Sequence, residues 1–220
     1  MPSVRIVVNP RSQPFDESMD SLYEAVRFAQ NSGYGVWIEK VLRGTTGYRT
    51  AGPLFAHFLS SSDTHMFMAA DDMLYPPDTI VRLIADDKDV VSGIYRKNNL
   101  NRVEPANWDT SGEDFLKHYR EGGVYETDFV GGHTMTIKRE VIEKMVKDYP
   151  ELEFDHPLTR EKNYGLFLPL IENRVAYDDD WSFSIRARRS GFKLWTDFSV
   201  KLKHWCGDFI GFEAGAANGN

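Results

Sequence analysis

His65-Met66-Phe67-Met68-Ala69-Ala70-Asp71-Asp72-Met73-Leu74-Tyr75-Pro76-Pro77-Asp78 is an apolar run that drives into two adjacent carboxylates and is then broken by two prolines. Residues 66 to 70 are apolar without interruption, the pattern of a strand covered on both faces in a parallel sheet. Asp71 and Asp72 cannot both be buried as free anions, so something must compensate them at the strand's C-terminal edge. In open α/β sheets that edge is where ligands bind. A divalent cation shared between carboxylate and phosphate oxygens is one solution. An Asx turn ahead of a helix opened by Pro77 and Asp78 is the other, and this stretch alone does not choose between them.

Strand and helix signals alternate on either side. Val4 to Val8 is a short β-rich run closed by Asn9-Pro10, and the helix pattern after it places Met19, Leu22, Tyr23, Val26 and Ala29 on one face. Gly33 and Gly35 close that unit, Val36 to Val41 reads as a second strand, and Ala51 to Leu59 as a short helix. Past the quoted stretch, Ile80, Val81, Leu83 and Ile84 supply a helix face, and Asp89 to Tyr95 a further strand. This β-α-β-α-β-α-β order predicts a mostly parallel, helix-covered sheet with right-handed crossovers. Residues 98–127 are polar and irregular, as in a lid or binding loop, and 149–176 form a second variable stretch. Regular structure is expected again over Phe129 to Ile137, in an Arg139 to Asp148 helix, and in a helix after Asp178 that ends at Gly191, with strand signals near Leu194 and Val200.

Composition sets the frame. The 220 residues suffice for one substantial core, and 41% hydrophobic with 27% charged residues is an ordinary globular balance. A net charge of -7 argues against a broad nucleic-acid surface. The lone Cys206 gives no internal disulfide framework, as in a reducing compartment. No secretory signal opens the chain and no apolar run approaches membrane-spanning length. The expectation is a soluble or peripherally membrane-associated cytoplasmic protein, with residues 1–212 as a single domain and 213–220 as a flexible tail or linker to further domains.

Two later features add chemistry. Asp178, Asp179 and Asp180 open a helix, where one acid would satisfy the dipole and the open N–H groups. Three suggest that one faces a ligand, and a carboxylate poised at a pocket can take a proton from an alcohol. His204 follows the alternation of Phe198, Val200 and Leu202; it reads either as a core histidine or, with Asp72, as a mixed oxygen and nitrogen site for a divalent metal. Asp208 adds an acid four residues on.

An acidic doublet followed by Met and Pro-Pro-Asp, a Val90-Val91-Ser92-Gly93-Ile94-Tyr95-Arg96 strand, a Gly131-Gly132-His133-Thr134-Met135 segment, an Asp-Asp helix start and a late His together resemble the GT-A glycosyltransferases. The resemblance spans roughly residues 4 to 212. It is to family-2-like nucleotide-sugar transferases, and more narrowly to small GT-A domains of large algal viruses (chloroviruses), for which the host cytoplasm would be the location. It implies a metal-dependent transferase that moves a hexose or deoxyhexose from a UDP-sugar to a hydroxyl of a glycan or glycoprotein, with Mn2+ or Mg2+ as cofactor. The family's Asp-x-Asp motif falls on Ala70-Asp71-Asp72, so Asp72 corresponds to its metal-ligating acid and His204 to its late metal histidine. The first acid of the motif is absent, and Asp71 is the residue left for its ribose or metal contact. The acceptor-side acid pair falls on Asp179-Asp180, making Asp180 the general base of an inverting transfer, with Asp208 as second candidate. Asn9, Pro10 and Arg11 correspond to the nucleobase site, and Arg49 to a basic residue that meets the uracil or diphosphate. Trp108, Tyr119 and Tyr164 are candidates to stack on a sugar, or packing anchors.

Other readings stay open. A sugar-nucleotide pyrophosphorylase would carry a Gly-rich phosphate loop where Asn9-Pro10-Arg11-Ser12-Gln13 stands, and a dinucleotide oxidoreductase a G-x-G-x-x-G. A nucleotide-sugar or glycan-binding module without turnover is motivated by Ala70.

Overall fold

The structure, a computed structural model, describes residues 2–9, 16–40, 47–97, 105–107, 115–156, 159–205 and 209–210. The N-terminal half alternates strand and helix: β1 (Ser3–Asn9), α1 (Asp16–Asn31), β2 (Gly35–Lys40), α2 (Gly47–Ser60), β3 (His65–Ala70), β4 (Met73–Leu74), α3 (Thr79–Ala85) and β5 (Val90–Ile94). The rest comprises α4 (Phe115–Glu121), β6 (Val124–Thr127), β7 (Met135–Lys138), α5 (Arg139–Asp148), β8 (Glu153–Asp155), β9 (Lys162–Tyr164), β10 (Leu170–Glu172), β11 (Val175–Tyr177), α6 (Asp179–Arg189), β12 (Leu194–Lys201), β13 (Lys203–Trp205) and β14 (Phe209–Ile210).

Among the described residues one large sheet runs β2-β1-β3-β7-β5-β12-β6. β2, β1, β3, β5 and β12 share one direction, while β7 and β6 run against it. Strand β3 shows why its sequence is apolar from Met66 onward: Phe67 and Ala69 enter the core cluster that contains Leu22 of α1 and Ile80 of α3, whereas Met66 and Met68 enter the cluster of Phe55, Val141 and Phe183 from α2, α5 and α6. Successive side chains point to opposite faces, so a strand with helices on both sides has no polar face.

Departures from the sequence pattern have local causes. Tyr23 is exposed and Ala25 is buried, because at 3.6 residues per turn position 23 falls on the flank of the Leu22–Val26–Ala29 stripe. The end of the polar 98–127 stretch is regular: α4 packs on β12, and β6 pairs with β12 as the edge strand. The described residues of 149–177 include two hairpins, β8–β9 and β10–β11, outside the large sheet. The expected Phe129–Ile137 strand begins only at Met135, since Gly132–Thr134 is a 3-10 turn. The two signals near Leu194 and Val200 belong to one strand, β12, whose pairing with β5 shifts register between Asp197 and Lys201. The Arg139–Asp148 helix stands as expected, and Gly191, at φ +91°, follows the C-cap of α6 in the left-handed region that glycine tolerates.

Candidate metal centre and neighbouring acid

Three elements deliver side chains to one point at the C-terminal edge of the sheet. After β3 the chain turns through Asp71 and Asp72, both buried. β13 then pairs antiparallel with β4, placing His204 opposite Met73, and the Trp205 N–H donates to the Asp72 carbonyl at 2.9 Å. His204 Nε2 thereby comes to 3.3 Å from Asp72 Oδ2, across 132 residues of chain. β7 runs the other way, so the turn before it lies at the same edge and brings His133. Ligating atoms of Asp72, His133 and His204 all lie within 4.8 Å of one another.

The backbone beneath is tightly tied. The Tyr75 hydroxyl accepts from the Ala70 N–H at 2.7 Å and lies 3.0 Å from both the Ala70 and the His133 carbonyls, which bridges the end of β3 to the histidine turn. Burial raises the Tyr75 pKa, so the phenol keeps its proton to donate. From α1, Ser18 Oγ accepts from the Met73 N–H and Ser21 Oγ from the Tyr75 N–H. A Cβ at Gly131 would sit 2.2 Å from Tyr95 Oη, so a larger residue there must displace that ring or the turn. The Gly131 N–H donates to Asn107 Oδ1, and Asn107 Nδ2 donates to the Gly93 carbonyl and to Thr196 Oγ1. The Tyr95 ring stacks on His133 at 5.5 Å and meets His204 edge-on at 5.7 Å.

The donor set fits a divalent ion. His204 Nδ1 lies 2.9 Å from the Arg96 carbonyl, which can only accept, so Nδ1 carries a proton and Nε2 is the nitrogen turned to Asp72. Asp72 Oδ2, when ionised, is an acceptor. Nε2 and Oδ2, 3.3 Å apart, can share either a proton or a metal ion. Imidazole nitrogen and carboxylate oxygen are normal ligands of first-row divalent metals.

Asp180 stands next to this centre. Its Oδ2 accepts from the Gly132 N–H at 3.3 Å, one residue before His133, and its Oδ1 accepts from the Trp181 N–H at 2.9 Å. Burial, with the charge of Asp179 second, pushes its pKa up to about 6 against the opposing pull of those N–H donors and Lys97. Asp179 Oδ1 accepts from the Asp180 N–H at 3.0 Å, while Asp178 occupies the N-cap without a side-chain capping bond. Lys97 Nζ sits 4.7 Å from the centre of the Trp181 ring, whose other stacking partner is Phe129.

The structure thus brings together Asp72 and His204, and it ties Asp180 to the Gly132 N–H in the turn that carries His133. Asp71 is buried in the same turn. Asn9 is placed by its backbone at the end of β1, paired with Ala70, and Arg49 by its backbone in the first turn of α2. Pro10, Arg11, Trp108, Cys206 and Asp208 lie outside the described residues. Tyr119 stacks on Phe115 under Lys201, and Tyr164 packs against the α2–α5–α6 cluster. The sequence reading gave His133, Lys97 and Tyr75 no role. The imidazole in Gly131-Gly132-His133 was the available signal, but nothing in the linear order relates it to Asp72.

No family model matches the sequence, and no curated protein matches it. Solved structures match in fold. Protein A197 from STIV superposes with a TM-score of 0.52 at 14% identity, over 93% of this chain and 86% of that one. A Drosophila β-1,4-galactosyltransferase 7 mutant, in complex with manganese, UDP-Gal and xylobiose, superposes with a TM-score of 0.51 at 14% identity, over 97% of this chain and 71% of that one. The chain is a mixed α/β protein with a mostly parallel, helix-flanked central sheet of GT-A type.

Proposed function

We propose that the chain is a metal-dependent glycosyltransferase that moves a hexose or deoxyhexose from a UDP-sugar to a hydroxyl of a glycan or glycoprotein, with inversion. The observation that carries this reading is the meeting of Asp72 and His204 at the sheet edge, with Asp180 held by the Gly132 N–H in the turn that carries His133. Asp72 and His204 would hold the ion; when bound, it supplies charge neutralisation for the departing diphosphate. The end of β1 at Asn9, with Pro10 and Arg11 beyond it, is the place for the nucleobase, Asp71 for the ribose, and Arg49 for the uracil or diphosphate. Asp180 takes the acceptor hydroxyl's proton as that oxygen attacks the anomeric carbon. With a pKa of about 6 it is ionised at neutral pH and is a stronger base than an ordinary carboxylate. Asp179 holds the Asp180 backbone. Asp208 is the alternative base, and residues 1–212 form the single catalytic domain.

The test is thermal stabilisation by UDP and by GDP, each with and without Mn2+, followed by a screen of UDP-sugars for transfer. A nucleotide at about a hundred times its Kd adds about 2.7 kcal/mol. Stabilisation by UDP that requires the metal is the expected result; no shift with either nucleotide would sink the transferase reading.

A further inference from the structure

The chain lacks the first acid of the Asp-x-Asp pattern, and Ala70 at that position packs in the apolar cluster of α1 and α3. His133 comes instead from the opposite strand direction to complete a three-residue set with Asp72 and His204. We infer that His133 is a protein ligand of the metal, so that the ion is held by two imidazoles and one carboxylate and binds the chain without any nucleotide.

Three observations carry this. The ligating atoms of all three residues fall within 4.8 Å of one another, and since bonds of about 2.0–2.2 Å to a common centre hold ligand atoms about 3–4 Å apart, a side-chain adjustment of about 1 Å closes them on one ion. His204 has its far nitrogen engaged by the Arg96 carbonyl, the outer contact that fixes a ligating tautomer. His133 is clamped from two sides, by the stacked Tyr95 ring and by the Tyr75 hydroxyl at its carbonyl, so little freedom is lost on coordination. A site with one carboxylate and one imidazole needs the diphosphate oxygens to gain affinity; a third ligand already in place removes that requirement.

The metal preference follows from the donors. Mg2+ and Ca2+ favour all-oxygen shells, and Mg2+ gives up water reluctantly, whereas two imidazoles favour the later first-row ions. Co2+ and Zn2+ bind more tightly than Mn2+, and Mn2+ more tightly than Mg2+. The inference concerns the same centre as the proposed transfer, yet it stands on the three side chains and not on the reaction.

The experiment is a titration of the purified, nucleotide-free chain with Mn2+, followed by the electron paramagnetic resonance of the free ion, and with Co2+, followed by visible absorption. Pulsed resonance on the bound Mn2+ counts coordinated imidazole nitrogens. Expected are one ion per chain, couplings from two imidazoles, and no displacement of Mn2+ by a tenfold excess of Mg2+. His133→Ala and His133→Gln should each weaken Mn2+ and Co2+ binding by at least about tenfold and leave one imidazole coupling. A single imidazole on the unmodified chain, which needs no variant to fold, overturns the inference, as does unchanged affinity in both variants. Two imidazoles on a chain that transfers no sugar would count against the transferase reading alone; transfer with one imidazole would count against His133 alone.

Discussion

Asp180 shows how one carboxyl acquires a working range. Burial and the adjacent Asp179 raise its pKa to about 6, so its basic form is present above that pH and is lost below it. If it is the base, kcat for transfer falls as pH drops through about 6. Asp180→Asn should remove that acid limb and lower kcat by about 10²–10⁴-fold with nucleotide binding kept. Normal transfer by Asp180→Asn, with loss in Asp208→Asn, would assign the base to Asp208. Tyr75 makes a different kind of contribution, because its hydroxyl satisfies the Ala70 N–H and ties that strand end to His133. Tyr75→Phe leaves a buried N–H without its acceptor and should cost about 1–3 kcal/mol in urea unfolding. It should also weaken Mn2+ binding, and full retention of both properties would show that the bridge is incidental.

At the scale of elements, the site depends on short pieces meeting at strand ends. The 3-10 turn before β7 can approach β5 only because Gly131 has no side chain where Tyr95 Oη lies 2.2 Å from the Cβ position. Gly131→Ala must displace Tyr95 or the turn, at about 1–3 kcal/mol, and should weaken metal binding along with stability. A variant with wild-type melting and metal affinity would contradict this packing. The C-terminal end of α3 offers a test away from the site. Asp86 caps that helix, where a negative charge is unfavourable, and burial followed by the neighbouring Asp197 pushes its pKa up to about 6. A carboxyl with a raised folded-state pKa stabilises the fold below the unfolded value near 4, and that contribution is lost as pH rises through about 6. Asp86→Asn should therefore raise Tm by a few degrees at pH 7.5 and leave it nearly unchanged at pH 4. Asp180, shifted in the same direction, keeps some slope in the variant's pH–stability profile.

Across the whole molecule, the pattern of residues 65–78 was enough for a doubly covered strand, because helices on both sheet faces demand apolar residues from Met66 to Ala70 of β3. The alternation around it made the mostly parallel, layered class legible, and the left-handed Gly33 and Gly191 marked helix ends through local backbone preference. These are short-range properties, written in periodicity and in single residues. The direction of β7 was not written there: Met135-Thr136-Ile137-Lys138 reads the same whether it lies parallel or antiparallel, and its place between β3 and β5 follows from the pairing energies of the whole sheet. That reversal carries His133 to the edge where Asp72 and His204 stand. Their meeting depends on contacts 132 residues apart and on the β4–β13 pairing, a long-range arrangement that no local spacing encodes.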